Sequence, residues 1–218
     1  LAKKEAAYKE KKETLLRLCG KASEIRTAHA KELAASMQHA LEDLNFLQVR
    51  FEIAVESGEQ YLSGSGYDDV EFLISLNPGQ PPRPLSEVAS GGELSRVMLA
   101  LKAVLADKDR METLIFDEID AGISGKTAWK VSEKMAILGK EHQVICITHL
   151  PQIAAMADEH FIIEKESQEA STKTEIRPLE RGQMIEEIAR LLGSDTITET
   201  ALQSGEELKK MADEVKRY

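Results

Sequence analysis

The stretch "TLIFDEIDAGIS", Thr113 to Ser124, carries Leu114, Ile115 and Phe116 straight into Asp117 and Glu118. Such a run predicts a short buried strand, and its end in two adjacent carboxylates has two readings. In the bland one, a strand leaves the core and its acids are simply solvated. In the other, the carboxylates sit at the C-terminal end of a parallel strand, where open α/β sheets place their ligands. A pair there can hold Mg²⁺ and activate a water.

The flanks bear on the choice. Downstream, "SGKTAWKVSEKMAILGKE" reads as a helix and "QVICITHL" as a second buried strand, so strand, helix and strand alternate as in a parallel sheet covered by helices on both faces. Upstream, "ASGGELSRVMLAL" sets Ser90, Gly91 and Gly92 before a helix that begins near Glu93. Two glycines let a backbone approach a ligand closely, and a helix N-terminus offers unpaired N–H groups to an anion such as phosphate. An ordinary Ser-Gly-Gly-Glu cap has the same composition.

The rest of the chain frames this segment. Its 218 residues suffice for one large domain or a domain with an extension. No apolar run reaches the roughly 20 residues of a membrane span, so no membrane is expected. Cys19 and Cys146 lie far apart, without metal-ligand spacing, which suits a reducing, cytoplasmic setting. The opening "LAKKEAAYKEKKE" has neither an initiator Met nor a signal peptide and reads as a piece of something longer. Residues 1–46 contain no Pro and Gly only at position 20, and they predict a helix. Leu15, Leu18, Ala22 and Ile25, then Leu33, Met37, Leu41 and Leu44, give it an apolar stripe. A coiled-coil arm and a helix packed on its own domain both fit. "FLQVRFEIAVES" and "DDVEFLISLNPG" alternate as strands, "QPPRP" links, "HFIIEKES" and "KTEIRPLE" form a hairpin-like pair, and two helices around "MIEEIARLLG" and "TETALQSGEELKKMADEVK" complete the chain.

In order, "SGGELSR", "LIFDEIDAGIS" and "VICITHL" resemble the signature motif, Walker B with D-loop, and switch histidine of ABC-type ATPases. "PLSEVASGGELSRVMLALKAVLA", "FDEIDAGISGKTA", "THLPQIAAMAD", "IEEIARLLG" and "ITETAL" extend the likeness from Pro84 to about Leu208, and look like the C-terminal half of the SMC-like ATPases of bacterial DNA repair. The resemblance implies an α/β fold, the C-terminal lobe of an ABC-type (P-loop NTPase) head over residues 47–218, with a mostly parallel sheet flanked by helices. Residues 1–46 would be a coiled-coil helix, the returning strand of an arm. It implies ATP and Mg²⁺ as cofactors, with Asp117 holding Mg²⁺ through water, Glu118 polarising the attacking water and His149 bonding the γ-phosphate. Ser90, Gly91, Gly92 and Glu93 would bind ATP held by the opposite protomer of a homodimer, and Asp120, Ala121 and Gly122 would form the D-loop. It also implies a partner lobe from the same protein, DNA as a ligand of the complete protein, and a nucleoid-associated location in the cytoplasm.

"SGKT", Ser124 to Thr127, suggests a P-loop, but the Gly required five residues before Gly125 is Asp120, and Asp117 and Glu118 just upstream would repel phosphate. No other Gly-x-x-x-x-Gly-Lys-Ser/Thr occurs in the chain, so the P-loop is expected in the partner lobe. Trp129 reads as a packing residue, and His29, His39, His142 and His160 as solvent or packing residues. The first 46 residues hold nine Lys or Arg against seven Asp or Glu, which leaves −12 of the net −10 on the other 172. That acidic surface is a poor one for a phosphodiester backbone. Two other readings remain at this stage, a nucleotide-binding subunit of an ABC transporter and a catalytically silent dimerisation module.

Overall fold

The computed structural model describes residues 2–77, 79–87, 91–108, 111–168, 171–193 and 197–217. They fall into two compact units, residues 1–89 and 90–218.

The first unit is built on α1 (Ala2–Asp43), a single helix of 42 residues. It stops short of Phe46 for a local reason. Asn45 adopts φ 65°, the left-handed conformation that Asn tolerates better than most residues. Phe46 N–H then donates to Leu41 O at 3.1 Å and Asn45 N–H to Glu42 O at 2.9 Å, a Schellman closure. Phe46 and Leu41, the hydrophobic pair of that motif, are both buried. The chain returns as β1 (Arg50–Ser57), which pairs antiparallel with β2 (Asp68–Ser75), and β2 pairs with the short β3 (Arg83–Pro84). Phe51 and Phe72 stack across the ladder with centroids 6.0 Å apart, and α1 packs on β1.

The helix has two different faces. Cys19, Ser23, Met37, Ala40 and Leu41 are buried, whereas Tyr8, Leu15, Leu18 and Ile25 are exposed. The second set is therefore not covered by the helix's own unit, and its spacing of sevens and threes is that of a coiled-coil seam. A polar clasp fixes the middle of α1 to the sheet. Arg26 Nη1 donates to Asp68 Oδ2 at 2.6 Å, Ser57 Oγ donates to Asp68 Oδ1 at 2.8 Å, and the Ser23 and Ser57 hydroxyls lie 2.7 Å apart.

The second unit contains α2 (Gly91–Val104), β4 (Thr113–Phe116), α3 (Gly125–Leu138), β5 (Gln143–Cys146), α4 (Pro151–Met156), β6 (Phe161–Gln168), β7 (Ser171–Pro178), α5 (Arg181–Leu191) and α6 (Glu199–Val215). β4 and β5 are parallel in the register Leu114↔Val144 and Phe116↔Cys146, and α3 crosses between them. They are the parallel part of the fold among the described residues, since β6 and β7 form an antiparallel hairpin of their own. Leu114 and Phe116 are buried, as are Val97, Leu99, Ile119, Ala128, Val131 and Leu138. Each fully buried aliphatic side chain there contributes about 1.5–3 kcal/mol. Trp129 packs against a second cluster of Ala154, Ala155, Met156, Ile188 and Ala212.

The expected helical cover on both faces of the parallel strands is not what the described residues form. Ile115 is 69 % exposed, and Ile145 and Ile147 beside it are 44 % and 52 % exposed. The hairpin has a comparable open face, on which Phe161 stands opposite Pro178 and Ile163 opposite Ile176, all four exposed. The alternation of β4 and β5 thus covers one face only.

The clasp on α1 yields a pH dependence with a definite sign. Burial pushes the Asp68 carboxyl up, but hydrogen bonds from Arg26, Ser23 and Ser57 and the Arg26 charge together hold it below its ordinary value. A depressed carboxylate stabilises the fold above the unfolded pKa of roughly 3.9, and that contribution is lost as pH falls through the folded value. Thermal melts from neutral pH into the acid range should therefore show a falling midpoint, and Asp68→Asn should flatten part of that fall. Identical acid slopes for the two proteins would remove Asp68 as the cause.

Candidate functional site

The C-terminal ends of β4 and β5 lie side by side because the strands are parallel. β4 therefore delivers Asp117 and Glu118, and β5 delivers Thr148 and His149, to one edge, with Ile147 N–H still bonded to Phe116 O at 3.1 Å. Asp117 and Glu118 are both exposed. Glu118 has φ 55°, unusual for a residue with a side chain and a conformation that costs on the order of 1–3 kcal/mol. It begins a tight loop in which Ala121 N–H donates to Glu118 O at 3.0 Å and Ile123 N–H to Asp120 O at 3.3 Å. Gly122, at φ 70°, completes the turn.

Helix α2 holds this loop. Ser95 Oγ donates to Asp117 O at 2.9 Å, and the buried Arg96 donates from Nη1 to Ala121 O at 2.9 Å and Ile119 O at 3.4 Å. Burial, partly offset by the Glu93 charge, pulls the Arg96 guanidinium below its ordinary value, far from making it neutral near pH 7. The first turn of α2 comes close to the same loop. A Cβ on Gly91 would stand 2.5 Å from Glu118 Oε2, and one on Gly92 would stand 2.8 Å from Ala121 Cβ and 2.9 Å from Glu118 O. Gly92 is therefore needed for packing within this chain, whatever it does for a ligand, whereas a side chain at Gly91 would meet only the movable end of Glu118.

Asp120 turns the other way. It is buried, and its Oδ2 accepts from Thr148 Oγ1 at 2.6 Å and from His149 N–H at 2.8 Å, while His149 Nδ1 lies 3.0 Å from the same oxygen. Thr148 Oγ1 in turn accepts from Leu150 N–H at 3.0 Å, just before Pro151 opens α4. The His149 side chain remains 72 % exposed. At the far end of α4, the buried Lys209 donates to Ala155 O at 3.0 Å and Ala157 O at 2.9 Å, which satisfies carbonyls the short helix leaves open.

The edge is electronegative. Burial first, then the charges of Asp120 and Asp117, push the Cys146 thiol up to about 12, so it stays protonated and unreactive near neutral pH. Among the described residues no group of three or more His, Cys, Asp or Glu could hold a metal unaided.

Of the residues expected at a site, Gly91, Gly92, Glu118 and Ala121 converge, and Asp120 meets His149. Asp117 stands beside Glu118, and its Oδ1 accepts the Glu118 N–H at 2.9 Å. Glu93 lies one turn from Arg96 and acts on its charge. Ala121 and Gly122 are exposed, as a loop facing a partner would be, while the Asp120 carboxylate is engaged within the chain. Ser90 lies outside the described residues. Sequence spacing does not single out Ser95, Arg96 or Thr148, although Thr148 precedes His149 and Ser95 and Arg96 follow Glu93 within one helical turn.

No protein-family profile matches the chain. It is 40% identical over 196 residues to the DNA repair protein RecN of Vibrio cholerae, covering 90% of this chain and 35% of that protein. It is 45% identical to that of Treponema pallidum, covering 84% and 33%, and 39% identical to that of Bacillus subtilis, covering 89% and 36%. Among solved structures, the Smc head domain with a coiled coil and joint from Pyrococcus yayanosii matches with a TM-score of 0.54 at 20% identity, over 76% of this chain and 30% of that one. The Smc head domain with an extended coiled coil from Pyrococcus furiosus, bound to the C-terminal domain of ScpA, matches with a TM-score of 0.51 at 23% identity, over 76% and 39%. The fold is thus that of SMC heads. The chain spans about a third of the length of the curated relatives it matches, and by this likeness it belongs to the RecN family of DNA repair proteins.

Proposed function

We propose that this chain is the C-terminal lobe of an SMC-like ATPase head acting in DNA double-strand break repair and recombination. ATP bound between two heads drives their dimerisation, and hydrolysis reopens them. The observation that carries this reading is the shared strand edge, where Asp117 and Glu118 after β4 stand exposed beside the His149 end of β5.

The donor set fits a Mg²⁺–ATP complex. Asp117 has one carboxylate oxygen without a hydrogen-bond partner among the described residues, which suits a hard cation that keeps most of its waters and takes few protein ligands. When bound, Mg²⁺ neutralises the phosphate charge that three nearby carboxylates would otherwise repel. Glu118, set on an over-determined backbone, holds an attacking water and takes its proton at the carboxylate. His149 offers its outward ring to the γ-phosphate. Ser90, Gly91, Gly92 and Glu93 bind the nucleotide held by a second protomer, and Asp120, Ala121 and Gly122 form the D-loop across the dimer. The glycine contacts in this chain mean that such binding proceeds with the α2 N-terminus already fixed against Glu118.

Three open surfaces support further partners. The row Ile115, Ile145, Ile147 and the hairpin face are apolar areas of the kind that mark contacts, and they suit the P-loop lobe of the same protein. The exposed seam of α1 suits a second helix, as in an arm of which residues 1–46 are the returning strand. That seam also favours an SMC-like machine over a transporter subunit. DNA, in the complete protein, meets surfaces other than this acidic one, in keeping with a cytoplasmic, nucleoid-associated place. No helix among the described residues is long and apolar enough to cross a membrane.

Alone, the chain should show no saturable ATP binding by calorimetry and negligible phosphate release, and addition of the P-loop lobe should restore both. Tight ATP binding by the chain alone would sink the split-site reading. In the complete protein, Glu118→Gln should lower turnover by roughly 10²–10⁴-fold while ATP still binds and closed dimers accumulate in light scattering. Asp117→Asn should instead lose productive nucleotide binding and, with it, the dimer. Two mild and equal phenotypes would mean that the pair is only a solvated strand end.

A further inference from the structure

We infer that Asp120 is a positioning residue for His149. The buried carboxylate fixes the imidazole with its proton on Nδ1 and turns Nε2 outward, so that the phosphate response of His149 depends on the loop that carries Asp117 and Glu118. The inference deepens the ATPase reading and rests on it for its kinetic consequences, but not for the geometry.

Two donors from consecutive residues converge on a single oxygen, Asp120 Oδ2, the Thr148 hydroxyl at 2.6 Å and the His149 N–H at 2.8 Å, and the ring nitrogen Nδ1 of His149 stands 3.0 Å from that same oxygen. A carboxylate accepts and does not donate, so the ring nitrogen facing it must carry the proton. The other nitrogen, on a side chain that is 72 % exposed, is the one a ligand can reach. A carboxylate behind a histidine sets ring orientation and tautomer in metal sites and hydrolases alike.

The loop that supplies Asp120 is itself held. Arg96 fixes the carbonyls on either side of Asp120, those of Ile119 and Ala121, and Ser95 fixes that of Asp117. The positive φ at Glu118 and the turn that follows it send Asp120 inward while Asp117 and Glu118 stay exposed. A shift of that loop therefore moves both the Glu118 carboxylate and the His149 ring. Thr148 gives the clasp its second anchor, since its hydroxyl donates to Asp120 and accepts from Leu150 N–H.

The test has a structural and a kinetic arm. Nitrogen-15 NMR of the 218-residue chain at mildly alkaline pH, with His149→Ala to assign the signal among the five histidines, should show His149 as the Nδ1–H tautomer. Asp120→Asn should move it toward Nε2–H, the form that free imidazole side chains prefer. In the complete ATPase, Asp120→Asn should lower kcat about 10- to 100-fold with KM for ATP little changed, as misplacement of a reacting group does. The double variant Asp120→Asn/His149→Ala should be no slower than His149→Ala alone. Thr148→Ser, which keeps the hydroxyl, should behave as wild type. An Nε2–H ring at His149 in the unaltered chain overturns the inference even if Asp120→Asn fails to fold, and so do additive losses in the double variant. A complete protein without ATPase activity, combined with the expected tautomers, would remove the functional reading and leave the positioning intact.

Discussion

The six residues from Asp117 to Gly122 form no regular element, and their backbone groups must still be satisfied wherever water is excluded. Donors from outside the loop do this. Ser95 and Arg96 on α2 take the carbonyls of Asp117, Ile119 and Ala121, while Thr148 and His149 take the Asp120 carboxylate. A buried guanidinium is costly unless its fork is filled, and here carbonyl dipoles fill part of it with Glu93 close by. The loop is over-determined, and that is the condition under which Glu118 can hold φ 55°.

The same constraint weighs against a simple reading of the Gly-Gly pair. Gly92 has no room for a Cβ against Ala121 and the Glu118 carbonyl, and Gly91 has none against the Glu118 carboxylate in its present position. Glycine at position 92 is therefore explained by packing before any phosphate is considered, while at position 91 the Glu118 carboxylate could move aside. The two roles are compatible, since a helix N-terminus pressed against the loop is also an N-terminus held still. An alanine at Gly92 alone does not separate them, because it would disturb the loop and the anion-binding turn together.

Much of this architecture is legible in the sequence, and the parts that are not have physical reasons. The strand β4, its Asp-Glu end, the crossing helix α3 and the strand β5 follow from apolar runs bounded by polar residues, and the Asn-Pro-Gly after β2 marks its end. The stop of α1 at Asp43 depends on one left-handed Asn, which reads equally well as an ordinary helical residue. The open face at Ile115, Ile145 and Ile147 is hidden for another reason. A strand awaiting cover from another segment has the same composition as one already covered. Asp120 shows where spacing stops informing. The resemblance implies a D-loop residue facing across a dimer, and the turn at Glu118 in addition buries its side chain within this chain. Side-chain direction after a positive φ cannot be read from spacing. Thr148 and Arg96 escape notice in the same way, as donors whose meaning depends on which carbonyl or carboxylate faces them.

Charge completes the argument. Three carboxylates within four residues make the strand edge hostile to phosphate, and the Cys146 thiol, pushed up to about 12 mainly by burial, is raised further by two of them. Arg96, the cation that holds the loop, is buried with its Nη1 turned toward carbonyls. The described residues therefore place acids, an outward imidazole and a glycine-led helix N-terminus on one edge, without a lysine or arginine bonded to any of those acids. Such a half-site is suited to handling water, a proton and a hard cation, and unsuited to gripping a polyphosphate. The grip has to come from a surface of opposite character. The uncovered isoleucines beside that edge give such a surface a place to sit.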